Sequence, residues 1–217
     1  MNENLQDIEN FIGKLNDDTI TTFCGEPGIG KTTICFQYMA DRLKSGKKVI
    51  FVDTEGGFCI ERLMQIDRNI NLNNIIVFSP KNFEKQNEII KNLNDEIKND
   101  KDISLIIIDS IVMLYRLELS DNPAKINSKL AKQLQLLTEI SRTFKIPIIT
   151  TNQIYYDFKS NDLKMAGGTL IQYWSKTIIY LKKNTDTKEI IIKKHKYKKE
   201  GIQKFFTIDD SGILLIK

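Results

Sequence analysis

The residues most able to do chemistry are in a glycine-rich segment, 25–33, with the sequence GEPGIGKTT. It matches the pattern GxxxxGK(S/T), in which glycines let the backbone curl and turn its N–H groups toward phosphate oxygens. Lys31 can then reach the β- and γ-phosphates of a nucleotide, and the Thr32 hydroxyl can bind Mg²⁺. The predicted nucleotide site therefore contains Gly25, Glu26, Pro27, Gly28, Ile29, Gly30, Lys31, Thr32 and Thr33.

The sequence on either side has the character that this pattern requires. Residues 19–23 (TITTF) are β-branched and aromatic and predict a strand that enters the glycine turn. Residues 33–44 lack glycine and proline and predict a helix that leaves it. Because a helix N-terminus carries roughly half a positive charge, it favours a polyphosphate. The alternative, a glycine turn followed by lysine by chance, does not explain this strand and helix.

Three further predicted strands end in polar side chains. The strands and the residues that follow them are 47–54 with Glu55, 105–108 with Asp109, and 146–151 with Gln153. Ligands of open parallel sheets lie outside the carboxyl ends of the strands, so these side chains should lie near the nucleotide. Glu55 could orient the attacking water, Asp109 could hold Mg²⁺, and Gln153 could bind the γ-phosphate. The alternatives are a surface acid in a turn at Glu55 and an ordinary polar strand end at Gln153.

The remaining pattern predicts an α/β fold with a mainly parallel sheet, flanked by helices and extended by C-terminal antiparallel strands. Predicted helices cover residues 4–15, 58–68, 82–99, 124–144 and 167–174, and predicted strands cover 75–78, 176–183, 189–195, 205–208 and 213–216. Residues 111–122 and 154–166 are predicted to be loops. We expect a short N-terminal helix within residues 1–17 and one core from 18 to 217.

The composition is that of an ordinary globular protein of 217 residues, with 41% hydrophobic and 28% charged residues. The sequence does not predict a membrane-spanning helix, because no apolar run approaches the roughly 20 residues that span a bilayer. The N-terminus lacks the features of a signal peptide. Cys24, Cys35 and Cys59 are odd in number and lack metal-ligand spacing, which favours free thiols in the cytoplasm.

Positive charge is concentrated near the C-terminus. Residues 176–204 contain ten lysines against three acids, a net charge of +7, whereas the rest of the chain sums to −3. This predicts a polyanion partner such as DNA; the alternative is a solvated sheet face. The 154–166 segment mixes aromatic rings with lysines, which can stack bases and contact phosphates. The predicted DNA-binding residues are Tyr155, Tyr156, Lys159, Lys164, Lys193, Lys194, His195 and Lys196.

The order of these motifs resembles the RecA/RadA recombinase superfamily, and most closely its short archaeal paralogues of the RadB type. The resemblance rests on the glycine turn and on the segments DTEGGFCIERLMQ, LIIIDS and TTNQ. It implies a RecA-like P-loop ATPase core in which Glu55 and Lys31 are catalytic and Thr32 and Asp109 bind Mg²⁺. It also implies that Gln153 senses the γ-phosphate, and that Arg62 and Gln65 flank the adenine of ATP, where a guanidinium plane can stack.

Departures from the family pattern narrow the implied function. Residues 11–14 (FIGK) are not the Phe-x-x-Ala segment that joins recombinases into filaments, and the chain starts almost at the core. The first DNA loop, 111–122, lacks a glycine-flanked arginine, and the second, 154–166, is short. The resemblance thus implies an ATP- and DNA-binding accessory protein of homologous recombination and DNA repair, with weak ATPase activity.

The implied partners are single-stranded or branched DNA, the RadA recombinase and a Holliday junction resolvase, and the role could extend to branched-DNA cleavage. Two alternatives remain open. One is a DNA-dependent ATPase that performs strand exchange itself, and the other is a P-loop signalling ATPase without a DNA role.

Overall fold

A computed structural model describes residues 3–120, 122–157, 162–183 and 187–216. Its helices are α1 (Glu3–Ile12), α2 (Lys31–Lys44), α3 (Ile60–Ile66), α4 (Phe83–Asn99), α5 (Met113–Glu118), α6 (Pro123–Phe144) and α7 (Gly168–Trp174). Its strands are β1 (Ile20–Gly25), β2 (Lys48–Asp53), β3 (Ile75–Phe78), β4 (Ile103–Asp109), β5 (Ile148–Asp157), β6 (Asp162–Met165), β7 (Ser175–Lys183), β8 (Lys188–Lys194), β9 (Gln203–Asp209) and β10 (Gly212–Leu215).

The strands form a single sheet in the order β10-β9-β8-β7-β1-β5-β4-β2-β3, and β6 pairs with β5. The pairs from β7 through β1, β5, β4 and β2 to β3 are parallel. The pairs from β7 to β10 are antiparallel hairpins. This confirms the predicted α/β class, with a mainly parallel sheet and C-terminal antiparallel strands. The carboxyl ends of β1, β2, β4 and β5 consequently lie along one edge of the sheet.

Alternation along the buried strands builds two cores, one on each face of the sheet. In β2, Val49 and Phe51 join the core that contains α1, α2 and α3, whereas Ile50 and Val52 join the core that contains α4, α6 and α7. Strands buried on both faces require apolar residues at every position. Helix α1 contributes Leu5, Ile8 and Ile12 to the first of these cores.

None of the helices in the described ranges combines the length and the apolar character that a bilayer crossing requires.

The prediction of a loop at 111–122 is wrong, because this segment contains α5. Leu114 and Tyr115 on this helix are buried, and the Tyr115 ring meets Phe83 of α4 edge-on at a centroid distance of 5.9 Å. The Gln86 side chain of α4 also donates a hydrogen bond to the Ile111 carbonyl at 3.1 Å. Tertiary burial, which a short segment does not reveal by periodicity, stabilises the helix.

The prediction of a loop at 154–166 is wrong for most of that segment. Strand β5 continues to Asp157 and pairs with β6 in an antiparallel hairpin. The hairpin's end is fixed where Asn152 Nδ2 donates to the Ala166 carbonyl at 2.8 Å. Cross-strand hydrogen bonds satisfy backbone groups that the sequence pattern suggested would be irregular.

Candidate nucleotide-binding site

The turn between β1 and α2 has the backbone geometry that its glycines allow. Gly28 and Gly30 have φ angles of 72° and 116°, in the left-handed region. A Cβ at Gly30 would lie 2.7 Å from Ile208 Cδ1, and one at Gly25 would lie 2.7 Å from the Leu181 carbonyl oxygen. Glycine is therefore required by conformation and by close packing at the turn. Helix α2 starts directly after the turn, so its N-terminal N–H groups face the space in front of it.

Lys31 begins α2 and extends back across the turn. Its Nζ donates to the carbonyl oxygens of Gly25, at 3.0 Å, and Glu26, at 2.8 Å. The residue is only 6% exposed, and burial lowers the pKa of Lys31 while the nearby Glu55 and Asp109 oppose that shift. A partly desolvated ammonium at a helix N-terminus is a strong partner for phosphate oxygens.

Thr32 and Asp109 place two side-chain oxygens close together near this lysine. The Thr32 hydroxyl donates to Asp109 Oδ2 at 2.6 Å, and the Thr151 hydroxyl donates to Asp109 Oδ1. Burial raises the pKa of Asp109, and the two hydroxyl hydrogen bonds oppose that shift. No cluster of three or more His, Cys, Asp or Glu in the described ranges could hold a metal alone. Mg²⁺ commonly takes one or two protein oxygens together with substrate phosphates, which fits this pair.

Glu55 lies on a turn that Asp53 shapes. Asp53 Oδ1 accepts hydrogen bonds from the backbone N–H groups of Glu55, Gly56 and Gly57 at 3.2, 2.8 and 3.1 Å. Its Oδ2 accepts from the Phe58 N–H at 3.0 Å. One buried carboxylate therefore holds the backbone that carries Glu55. This role of Asp53 was not predicted from the sequence, although an Asp shortly before a Gly-Gly turn is a signal for it.

The ends of β2 and β4 are joined by Thr54. Its backbone N–H donates to the Asp109 carbonyl at 2.9 Å, and its hydroxyl donates to the Ser110 carbonyl and accepts from the Ser110 N–H, both at 2.8 Å. This connection fixes Glu55 relative to Asp109.

Gln153 connects Glu55 to α5, a helix that was not predicted from the sequence. Gln153 Nε2 donates to Glu55 Oε1 at 3.1 Å, and Arg116 Nη1 on α5 donates to Gln153 Oε1 at 2.7 Å. The predicted convergence of strand-end side chains thus exists in the structure for Glu55, Asp109 and Gln153.

A cavity of about 610 Å³ lies in front of the glycine turn. The predicted residues that line it are Pro27, Gly28, Gly30, Lys31, Thr32, Thr33, Glu55 and Arg62. Gly25 and Glu26 do not line it, and their carbonyls accept from Lys31 Nζ; Ile29 is buried. The described residues that line this cavity do not include Gln65, Asp109 or Gln153.

Arg62 closes the far side of the cavity against the β9–β10 turn. Its Nη2 donates to the Asp209 carbonyl at 2.6 Å, and its Nη1 donates to the Asp210 carbonyl at 3.1 Å and to Gln65 Oε1 at 2.9 Å. Gln65 therefore contacts the site through Arg62. The β9–β10 hairpin therefore orients the Arg62 guanidinium, and this contact with the candidate nucleotide site was not predicted from the sequence.

Four cavity residues were missed entirely: Lys188, Ile208, Asp209 and Asp210. Residues 209–212 (Asp-Asp-Ser-Gly) connect the predicted strands 205–208 and 213–216 and have the composition of a turn, but a turn signal does not reveal what the turn covers.

The predicted DNA-binding residues of the β5–β6 hairpin include Tyr155 and Lys164, which are paired across it in register. Both side chains are exposed, and both line a cleft of about 550 Å³ that extends to Tyr115. The Tyr156 side chain and Lys159 lie outside the described residues.

The predicted basic patch at 193–196 divides into two kinds of side chain. Lys193 and Lys196 are exposed and lie over the rings of Tyr180 and Tyr197, with Nζ 5.3 and 5.2 Å from the centroids. Their ammonium groups lie over aromatic rings, an arrangement suited to binding a polyanion.

The other two members of the patch are engaged within the protein. Lys194 Nζ donates to the carbonyls of Gln172 and Ser175, and burial lowers the pKa of this lysine. His195 Nδ1 accepts from the backbone N–H groups of Tyr197 and Lys198, and burial also lowers its pKa.

Comparisons with known proteins agree with the fold. A family model described as Rad51 matches residues 4–214. The DNA repair and recombination protein RadB of Methanosphaera stadtmanae is 41% identical over 209 residues, 93% of this chain and 90% of that protein. The RadB protein of Methanococcus maripaludis strain C7 is 40% identical over 210 residues, 94% and 95% of the two chains.

A crystal structure of the RadB recombinase superposes with a TM-score of 0.82 at 32% identity, covering 97% of this chain and 96% of that chain. The predicted resemblance to recombinases is thereby confirmed. The chain belongs to the Rad51 family and, within it, to the RadB DNA repair and recombination proteins.

Proposed function

We propose that this protein is an ATP- and DNA-binding accessory factor of homologous recombination and DNA repair. It hydrolyses ATP weakly and supports the main RadA recombinase instead of exchanging strands itself. The observation that carries the proposal is that Lys31, Thr32 and Glu55 line one cavity, with Asp109 hydrogen-bonded to Thr32, in a chain of the RadB family.

The geometry supports a division of labour among these residues. Lys31 exchanges its carbonyl partners for phosphate oxygens and stabilises the charge that develops on them. Thr32 and Asp109 would hold Mg²⁺, which neutralises charge on the β- and γ-phosphates when it is bound. Glu55 orients a water molecule and accepts its proton. Arg62, fixed by the β9–β10 turn, faces the base of the nucleotide, and Gln65 orients Arg62.

DNA binding is proposed for the two groups of exposed cationic and aromatic side chains. Tyr155 and Lys164 offer a stacking ring beside a charge, and Lys193 and Lys196 add charges on the C-terminal hairpins. The proposed set also keeps the residues close to these in sequence: Tyr156, Lys159, Lys194 and His195.

The accessory role is supported by the two segments that correspond to DNA loops in recombinases. One is folded into α5 and the other into the β5–β6 hairpin, which leaves little free loop to hold a stretched strand. We further propose that RadA and a Holliday junction resolvase are partners and that branched DNA can be cleaved in this context. Residues 1–17 are proposed to be a short helical segment that packs on the 18–217 core. A cytoplasmic location agrees with the buried free thiols of Cys24 and Cys35.

A turnover and strand-exchange assay tests the proposal. ATP hydrolysis is measured for the natural protein and Glu55→Gln, with and without single-stranded DNA, and strand exchange is measured with and without RadA. We expect slow turnover that Glu55→Gln lowers by about a hundredfold or more while ATP stays bound. We expect exchange only when RadA is present. Strand exchange by this protein alone, or stimulation of turnover by DNA well beyond about tenfold, would instead support a recombinase.

A further inference from the structure

Arg116 is linked to the proposed catalytic carboxylate through a single side chain. Its Nη1 donates to Gln153 Oε1 at 2.7 Å, and Gln153 Nε2 donates to Glu55 Oε1 at 3.1 Å. The chemistry of the two ends determines the orientation of the amide. A guanidinium only donates and a carboxylate only accepts, so a reversed amide would lose both hydrogen bonds. As long as Arg116 holds the amide oxygen, the amide nitrogen therefore stays on Glu55.

The helix that carries Arg116 is anchored to its neighbours. Tyr115 is buried, and its hydroxyl donates to Asn127 Oδ1 of α6 at 2.6 Å. At the other end of the helix, Glu118 accepts from the Phe83 N–H at 3.2 Å. Arg116 itself is exposed. The fixed helix thus presents a guanidinium that is connected to the nucleotide site on one side and open to solvent on the other.

The neighbourhood of Arg116 suits a phosphodiester. The preceding residue, Tyr115, lines the same cleft as Tyr155 and Lys164, the ring and the charge of the β5–β6 hairpin. A nucleic acid strand that stacks on Tyr155 and contacts Lys164 therefore brings phosphates to the side of α5. A phosphate competes well for Arg116, because its charge-assisted hydrogen bonds are about twice as strong as one to a neutral amide.

We propose that Arg116 is a positioning residue that restrains Glu55 through Gln153, and that a DNA phosphate bound to its guanidinium releases the restraint. While the chain of hydrogen bonds is complete, Glu55 Oε1 is occupied by an amide N–H and is less available to a water molecule. When the guanidinium turns to a phosphate, the amide is free to leave Glu55. This inference rests on the proposed ATPase function and adds a DNA-responsive restraint to it.

The first test separates kcat from KM. The natural protein, Arg116→Met, Arg116→Lys and a matched control on α6, Arg142→Met, are compared with and without a saturating oligo-dT strand. Arg116→Met should raise basal kcat by about fivefold, the equivalent of one hydrogen bond, and leave the KM for ATP unchanged. The strand should raise kcat of the natural protein to a similar extent and leave that of Arg116→Met unaltered. Arg116→Lys, which keeps the charge, should recover part of the response, and Arg142→Met should behave as the natural protein.

The second test needs no turnover. The side-chain amide resonance of Gln153 is identified in ¹⁵N-labelled protein by its loss in Gln153→Leu. It should shift in Arg116→Met and on addition of the strand, and it should not shift in Arg142→Met. An unmoved resonance, or equal kcat values for Arg116→Met and the natural protein, would overturn the proposed relay. If the resonance shifts as expected but the natural protein hydrolyses no ATP, the proposed ATPase function fails while the link between Arg116 and Gln153 stands.

Discussion

The Thr32 hydroxyl donates to Asp109 Oδ2 across 2.6 Å, which joins the first turn of α2 to the carboxyl end of β4. The two residues are distant in sequence, and an Asp at the end of a buried strand is a weak signal on its own. Their contact places two side-chain oxygens near Lys31, where we propose that they bind Mg²⁺. Asp109 is 3% exposed, and burial raises its pKa, a shift that the hydroxyl donors and the nearby ammonium oppose.

We expect Asp109→Asn to separate the metal's contribution from that of the glycine turn. The amide keeps the size of the side chain and can still accept from Thr32, but it lacks the charge that attracts Mg²⁺. The gain in ATP affinity on adding Mg²⁺ should fall by about ten- to a hundredfold. This gain is measured by titrating each protein with a fluorescent ATP analogue, once in the presence of Mg²⁺ and once in the presence of EDTA. Asp102→Asn, on an exposed acid that pairs with Lys47, is the control and should keep the full Mg²⁺ effect.

Lys188 lines the cavity and should contribute to nucleotide affinity even though no motif contains it. Lys188→Met should weaken ATP binding roughly fivefold, because a partly solvated cation is removed from the polyphosphate's surroundings. Lys183→Met is a matched control, since Lys183 pairs with Lys188 across the β7–β8 hairpin and is exposed outside this cavity. Equal losses of ATP affinity in the two variants would show that the net charge of the protein, and not the position of Lys188 in the cavity, is responsible.

Affinity for single-stranded DNA should fall steeply with salt, with a log–log slope of about −0.7 for each phosphate neutralised. Lys193→Ala and Lys196→Ala should each make the slope shallower by roughly one phosphate contact. Lys194→Ala should change it less, because that ammonium is already bonded to two carbonyl groups. Fluorescence anisotropy across a salt series gives these slopes, and a slope near zero for the natural protein would contradict electrostatic binding.

Glu9 predicts a pH dependence of stability. It is 7% exposed, and burial raises the pKa of Glu9 from its usual value of 4.5. The folded state therefore favours the protonated form, so this contribution to stability is complete below the unfolded-state pKa and is lost as pH rises through the higher folded-state pKa. Glu9→Gln, which remains neutral, should raise the free energy of unfolding by about 1 kcal/mol at pH 8. Thermal unfolding of both proteins at pH 8 and pH 5 checks this, and the extra stability of Glu9→Gln should be smaller at pH 5. An equal stability gain at both pH values would exclude burial of the Glu9 charge as its cause.

Local patterns predicted the parts of the fold that depend on neighbours in sequence. The glycine turn, the buried strand that ends at Asp109 and the long helix α6 all have continuous signals of this kind. Parallel strands place their carboxyl ends along one edge, so the proximity of Glu55, Asp109 and Gln153 could be inferred without coordinates.

The features that were missed depend on contacts between distant segments. Helix α5 is too short to show periodicity, and it exists because Leu114 and Tyr115 are buried against other helices. The β9–β10 turn reaches Arg62 across 147 residues of sequence. Arg116 contacts Gln153 only because α5 forms, and for that reason the link to Glu55 could not be predicted.

The most direct measurement is equilibrium binding of Mg²⁺-ATP to the natural protein and to Lys31→Ala by titration calorimetry, with circular dichroism to verify that both are folded. The central claim is that the glycine turn and Lys31 bind a triphosphate in front of Glu55, Asp109 and Gln153. It predicts binding of one nucleotide by the natural protein and a loss of about a hundredfold or more in the variant, since one buried ammonium faces the phosphates. Equal affinity in the two folded proteins would contradict it.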